Sequence, residues 1–597
     1  MARDEPLLHA SRASSDHDSE RIEEEDALLT GQHKPQALKR RGWPFWRKVA
    51  LFIWAVVATA IVVILAVLYQ HSRTSQPSPL KDELGNSPKP SGKRNLIFMV
   101  SDGMGPTSLS LTRSFDQLSK GLPFDHELVL DSHLIGSSRT RSTSSLITDS
   151  AAGATAFACG KKSYNSAISV LPDHSPCGTV LEAAKRAGYK TGLVVTTALT
   201  DATPACFASH VNTRSDEDLI AEQELGFGHP LGPVVDLLLG GGRCHFLPNT
   251  TKGSCRHDDV DVTRKAQHNG YKYASSREEY DGLGSELHLP LLGLFADYDI
   301  PYELDRASQT AKYPSLSEMA STALHGLSAA TKDSDKGFFL LIEGSRIDHA
   351  GHANDPVAQV HEVLEYDKTF SLALDFLDRD SVEGVLISTS DHETGGLSTA
   401  RQLHDDYPEY AWYPAVLANA THTAAHLAHQ LSEHKDMHPA AGKDAMDTFI
   451  RSQIVKQGLG IQDAADEEID NIFTALDHKD DDDDGDGDDG KKKAKGRVDY
   501  ILADMISRRA QIGWATHGHS AVDVNIYASD PDTARDLVGN HENTDIGAFM
   551  AGYLGVDLEK VTEELGRMAD ERGLHDWMGT ELGDATGLGL EDYHGEF

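Results

Sequence analysis

Positive charge is what this 597-residue sequence has least of. Its 55 Lys and Arg face 93 Asp and Glu, a formal net charge of −38. So acidic a balance repels a phosphate backbone and argues against a nucleic-acid-binding body, although some of the charge is local. Cysteine is scarce at five, a number that suits an oxidising compartment without requiring one. No stretch repeats another, so the chain is not an array of like units. The densest acidic run, Asp480 to Asp489, holds eight acids and is followed by Lys491, Lys492 and Lys493. It lacks the terminal Glu of an EF-hand loop, which leaves 480–495 as a solvated low-complexity loop.

Long hydrophobic stretches are rare as well, and the one that stands out is near the start. Residues 1–48 are polar and read as a disordered cytosolic tail, in which Glu24, Leu28 and Leu29 form an acidic dileucine sorting pattern. Val49 to Tyr69 then runs for 21 residues without a charge, long enough to cross a bilayer. Lys39, Arg40, Arg41, Arg47 and Lys48 crowd its N-terminal side. The positive-inside rule therefore predicts a single-pass type II anchor with the tail in the cytosol and the body in a lumen. Residues 70–92 are Ser-, Pro- and Lys-rich and read as a stalk. Cys244 and Cys255 bracket a short loop and form the candidate disulfide. Asn249 and Asn419 open Asn-x-Thr sequons on the lumenal side.

The body, residues 93–580, is followed by a C-terminal tail at 581–597. Apolar runs at Asn95–Val100, Thr191–Thr196, Val234–Leu239, Phe338–Ile342 and Val385–Ser388 read as strands buried on both faces. Helical spacing covers Val357 to Leu377. The pattern predicts an α/β fold, a central and mostly parallel sheet with helices on both faces.

Chemistry in such sheets gathers at the carboxyl ends of strands. Here those ends deliver Asp102, then Asp201 and Thr203 with Arg214 beyond, then Glu343, Asp348, His349 and His352, then Asp391 and His392. His517 and His519 precede a further strand-like run, Val522 to Ala528. Mixed carboxylate and imidazole donors suit zinc, and an all-oxygen subset suits magnesium. Thr148 to Gly160 adds a serine, Ser150, opening a run of small residues with Thr148 or Asp149 available as a cap. A hydroxyl at a helix N-terminus beside a metal is a candidate nucleophile.

Asp102-Gly-Met-Gly, Asp149-Ser150-Ala-Ala-Gly-Ala-Thr-Ala, Asp201-Ala-Thr-Pro, Glu343-Gly-Ser-Arg-Ile-Asp348 and Asp391-His392-Glu-Thr-Gly-Gly together resemble the alkaline phosphatase family, from about residue 93 to about 555. The anchored N-terminus is most similar to the fungal vacuolar form. The resemblance implies that Ser150 becomes phosphorylated and that Arg214 grips phosphate. It implies two zinc ions and one magnesium per subunit. Asp348, His352 and His519 would hold one zinc, and Asp102, Asp391 and His392 the other. Asp102, Thr203 and Glu343 would hold magnesium. His519 is preferred to His517 because the residues after it reach the final strand at the family's spacing. Asp201 and His349 match the pair beside the magnesium site, where enterobacterial enzymes have Asp and Lys and animal enzymes have two His. A homodimer in the vacuole membrane acting on small phosphomonoesters, phosphoproteins among them, is the implied setting.

Two other readings compete. A phosphodiesterase of the same superfamily usually carries Thr as nucleophile, and a sulfatase needs a Cys/Ser-x-Pro-x-Arg run, which is missing here. A catalytically dead receptor module would have lost a ligand, whereas every candidate position is filled.

Overall fold

The strand Arg94–Val100 (β1) is buried at all seven positions, and alternation sends its side chains to two separate cores. Leu96, Phe98 and Val100 join one apolar cluster, Ile97 and Met99 the other. A strand with both faces covered must sit inside a sheet, and β1 does. In the computed structural model the described residues are 92–579 apart from Ser285, Glu286, Ala441 and 478–496, together with Trp54 and Thr59.

Among the described residues, the other strands are β2 (Leu134–Arg139), β3 (Lys190–Ala198), β4 (Leu237–Gly241), β5 (Lys272–Ala274) and β6 (Leu291–Leu294). They continue with β7 (Phe338–Glu343), β8 (Glu383–Thr389), β9 (Glu393–Thr394), β10 (His519–Ser520), β11 (Val524–Ala528) and β12 (Gly539–Glu542). Ten of them form one sheet in the order β12-β2-β11-β8-β1-β7-β3-β4-β6-β5, with β9 and β10 as a separate pair. Pairing is parallel from β8 through β5, and only β11 runs against its neighbours. The β4 strand begins at Leu237, later than the apolar run before it, because Asp236 breaks that run and binds Lys185 and Lys190.

One face of the sheet carries helices Ser150–Cys159 (α1), Ala202–Ala208 (α2) and others. The opposite face carries Leu316–Ala330 and Pro356–Arg379. Close packing is aromatic in part, as where Phe98 meets Phe157 edge-on at 5.4 Å. Each such fully buried side chain contributes about 1.5–3 kcal/mol. A third core lies beyond the sheet, where the helices Ala424–Met437 and Val498–Ala510 and the segments between them close over Leu111, Phe115, Val357 and Val360. Disulfides join Cys159 to Cys177 and Cys244 to Cys255, while Cys206 is free and buried. Asn249 and Asn419 are exposed.

Two compact units divide the chain, 1–87 and 88–597. Of the first, only Trp54 and Thr59 are described. No helix among the described residues is long and apolar enough to cross a membrane. The sorting pattern at Glu24, Leu28 and Leu29, the rest of the 49–69 span, the stalk to residue 91, the 480–495 loop and the 581–597 tail lie outside the described residues.

Candidate active site

Helix α1 starts at Ser150 because Asp149 caps it: the backbone N–H of Ala152 donates to Asp149 Oδ1 at 2.9 Å. The other carboxylate oxygen accepts from Ser166 N at 2.8 Å, so the cap is fixed on both sides. Ser150 is thereby held at the helix N-terminus, buried, with Oγ 3.1 Å from His392 Nε2. Gly153 lies one turn on, where a Cβ would come within 3.0 Å of Asp391 Cβ. That glycine lets the loop after β8 approach the helix.

His392 belongs to two overlapping donor groups, Asp102–Asp391–His392 and Asp348–His392–His519, each with its ligand atoms within 4.8 Å. Its Nε2 is 3.2 Å from Asp391 Oδ2 and 3.6 Å from Asp102 Oδ1. The His519 ring stacks on the His392 ring at 3.5 Å. His352 Nε2 adds to this side, 3.1 Å from His519 Nε2 and 3.2 Å from Asp348 Oδ2. The strands explain the convergence. Asp102 follows β1, Asp391 and His392 follow β8, and Asp348 and His352 lie on the helix Arg346–His352 (α3) after β7. Gly103, at φ +73°, sits where a Cβ would be 2.6 Å from Asp348 Cα, so the turns after β1 and β7 touch. His519 arrives from far along the chain through β10, which pairs antiparallel with β9 and sets His519 opposite Thr394.

His517 goes elsewhere. Its ring stacks on Tyr500 at 4.0 Å, and its Nδ1 meets the His352 carbonyl at 2.7 Å. Thr203 and Glu343 lie together near Asp102, where Ser345 Oγ donates to Glu343 Oε2 at 2.6 Å. Arg214 donates from Nη2 to Asp201 Oδ1 at 2.8 Å, with Nη1 3.6 Å from Asp149 Oδ2. His349 Nδ1 is 3.3 Å from Asp299 Oδ2, and Asp201 faces Arg214 and caps α2. Asp299 was not a sequence candidate. Its signal was the apolar Leu291–Phe295 run ending in Asp297-Tyr298-Asp299, which places another carboxylate just past a strand end.

Electrostatically this is a site with too many carboxylates for its own cations. Burial, then Asp391, pushes Asp102 well above the carboxylate range, and burial with Asp348 pushes Asp391 to about 6. Burial and Asp201 raise Glu343 to about 8, against the Ser345 hydrogen bond. Burial depresses His392 to about 3, and burial with His392 depresses His519 to about 3. Burial opposes ionisation of Asp348 too, but His352 and the other imidazoles overcome it and hold that carboxyl well below its usual range. Asp102 Oδ1 and Asp391 Oδ2 are buried and accept no hydrogen bond. His392 and His519, kept neutral beside carboxylate oxygens that lack a donor, are the kind of donor set that divalent cations use, and these residues fit them.

The chain is similar over most of its length to known enzymes. A family model described as alkaline phosphatase matches residues 93–556. The repressible alkaline phosphatase of Saccharomyces cerevisiae is 50% identical over 521 residues, covering 84% of this chain and 88% of the relative. An alkaline phosphatase of Schizosaccharomyces pombe is 46% identical, covering 91% and 94%. Among solved structures, a cold-active alkaline phosphatase from Shewanella sp. superposes with a TM-score of 0.62 at 29% identity, covering 77% of this chain and 99% of that one. With relatives so alike over nearly their whole length, it follows that this chain is a phosphatase and belongs to the alkaline phosphatase family.

Proposed function

We propose that the chain hydrolyses phosphate monoesters through a phosphoserine at Ser150, with two zinc ions and one magnesium per subunit. The observation that carries this reading is the contact of 3.1 Å between Ser150 Oγ and His392 Nε2, at the junction of the two donor groups. In it, Asp348, His352 and His519 hold one zinc, Asp102, Asp391 and His392 the other, and Asp102, Thr203 and Glu343 the magnesium. Bound there, the ions would supply Lewis-acid stabilisation of the attacking and leaving oxygens.

The chain's own residues do the rest. The free N–H groups at the start of α1 favour an anion beside Ser150. The Arg214 guanidinium, held by Asp201, offers two parallel donors to the non-bridging oxygens of the phosphate. Ser150 Oγ forms a bond to phosphorus as the bond to the alcohol oxygen breaks. Water then attacks the phosphoserine, releasing phosphate and restoring the serine hydroxyl. An Arg fork for two free oxygens favours monoesters over diesters. Asp299 fixes the ring of His349 at the edge of the site.

The reading extends to the setting. A type II anchor at 49–69, sorting through Glu24, Leu28 and Leu29, glycans at Asn249 and Asn419, a vacuolar lumen and a homodimer follow from the sequence and the resemblance. Small phosphomonoesters and phosphoproteins are the substrates in this reading, and nucleic acid is not a partner. Ser150→Ala tests its core. Turnover of para-nitrophenyl phosphate should fall by about three orders of magnitude or more, with metal content and fold unchanged. Turnover within tenfold of the parent enzyme would refute the nucleophile.

A further inference from the structure

Among the described residues, two clusters that pair two histidines with a carboxylate outside the catalytic centre bring three donor atoms within 4.8 Å of one another, and they differ in what their ring nitrogens already do. In the first, Glu182 Oε1 is 3.1 Å from His210 Nε2 and 3.0 Å from His229 Nε2, all three fully buried. His229 Nδ1 accepts from the backbone N–H of Leu231 at 3.1 Å, which leaves the proton of the neutral ring on Nε2. No lone pair is left there for a cation. Ser169 O receives His210 Nδ1 at 2.9 Å, and Thr179 N donates to Glu182 Oε2 at 2.8 Å. The ring nitrogens Nδ1 of both histidines and both oxygens of Glu182 are thereby engaged within the protein.

The second cluster is Asp305, His422 and His426. His422 precedes Thr423, the cap of the helix Ala424–Met437, and His426 lies in the first turn. The two rings stack at 4.1 Å, 12° from parallel, and both turn Nδ1 toward one oxygen of Asp305. His422 Nδ1 is 2.9 Å from Asp305 Oδ1. His426 Nδ1 is 3.9 Å from the same oxygen, beyond hydrogen-bond reach; the stack on His422 sets its ring, which must turn out of that stack to share an ion. Burial, then the neighbouring His422, keeps His426 below the usual imidazole value against the pull of Asp305.

The carboxylate is fixed from behind. Thr423 Oγ1 donates to Asp305 Oδ2 at 2.7 Å, and Asp305 is 3% exposed. Ligating carboxylates are commonly oriented by such outer hydrogen bonds. The imidazoles are open to water on the other side, with side-chain exposures of 32% and 38%. Donors about 2.0–2.1 Å from a tetrahedral zinc stand about 3.3–3.4 Å apart. The two measured edges, 2.9 and 3.9 Å, bracket that spacing.

We infer that Asp305 Oδ1, His422 Nδ1 and His426 Nδ1 form an additional site for a divalent transition cation, zinc being the probe, with water completing the shell. The cation replaces the Nδ1 proton of His422 and gives the lone pair of His426 a partner. The site ties the start of the helix Ala424–Met437 to the segment at Asp305. Ala424 N also donates to Asp355 Oδ2 at 2.8 Å, close after α3 with its Asp348 and His352. The ion is therefore structural, a clamp between the outer helical core and the catalytic body.

The test compares full-length protein with the His422→Ala/His426→Ala variant. Both are equilibrated with zinc, washed, and analysed for zinc per chain by mass spectrometry. The parent should carry one zinc ion more per chain, with the same turnover of para-nitrophenyl phosphate in both. Equal zinc contents would overturn the inference. So would loss of turnover in step with zinc, because the missing ion would then be a catalytic one. The His422→Asn/His426→Asn pair keeps polar groups at Asp305 and guards against a folding defect. It must lose the same ion, and retention of that ion would equally overturn the site.

Discussion

The catalytic donor groups and the Glu182–His210–His229 cluster are both built from carboxylates and imidazoles, yet they are opposite devices. Around Glu182, both carboxylate oxygens have a hydrogen-bond partner, and the imidazoles hold its pKa far below the usual value despite burial. At the strand ends, Asp102 Oδ1 and Asp391 Oδ2 meet none, and their acids are pushed upward. Composition does not separate a metal centre from a structural network. The count of unspent lone pairs does.

The largest effect that could break this contrast is metal removal. Chelation should reduce turnover by about 10³-fold or more, and zinc with magnesium should restore it. The stripped protein should also respond to pH in a particular direction. Asp391 and Glu343 have folded values raised to about 6 and about 8, so the folded state holds those protons more tightly than the unfolded chain. Their contribution is present at acid pH and lost as pH rises through about 6 and about 8. Glu182 has the opposite sign, stabilising above the ordinary Glu value and failing as pH falls below it. Below the ordinary imidazole value of about 6.5, the depressed His392 and His519 offset the loss at Asp391. The metal-free melting temperature should therefore fall between about pH 6.5 and 8 as Glu343 ionises, a slope the loaded enzyme lacks. A slope that persists with metal bound would remove the distinction.

Next in size is Glu182→Gln. Removing one partner of a buried imidazole–carboxylate network should cost about 3–5 kcal/mol in denaturant unfolding, with turnover and zinc content unchanged. Lost zinc would make that cluster a metal site and collapse the comparison.

Much of the sheet was readable because β1, β3, β7 and β8 are continuous apolar runs covered on both faces. The edges were not. The β5 strand is three residues long, and β2 and β12 carry mostly small or polar side chains. The outer helical core between 402 and 510 was illegible because its apolar faces are broken by His, Lys and Asp that the fold turns outward. At the site, residues just past long strands were legible from position alone. His519 depends on the two-residue pairing of β10 with β9, and Asp299 on a short strand, which leave little trace in a sequence.

The smallest expected effect concerns His349. With Asp299 as its partner, His349→Lys should place a lasting positive charge beside the phosphate. Inhibition by inorganic phosphate should tighten several-fold and turnover at alkaline pH should slow, since product release often limits the rate. An unchanged inhibition constant would leave His349 as a packing residue.

If Ser150 Oγ carries the phosphate, covalent trapping shows it most directly. Enzyme quenched in acid during turnover of a phosphate-labelled monoester should yield a labelled peptide whose modified residue is Ser150. Label on any other residue, or steady turnover with no covalent label, would contradict it.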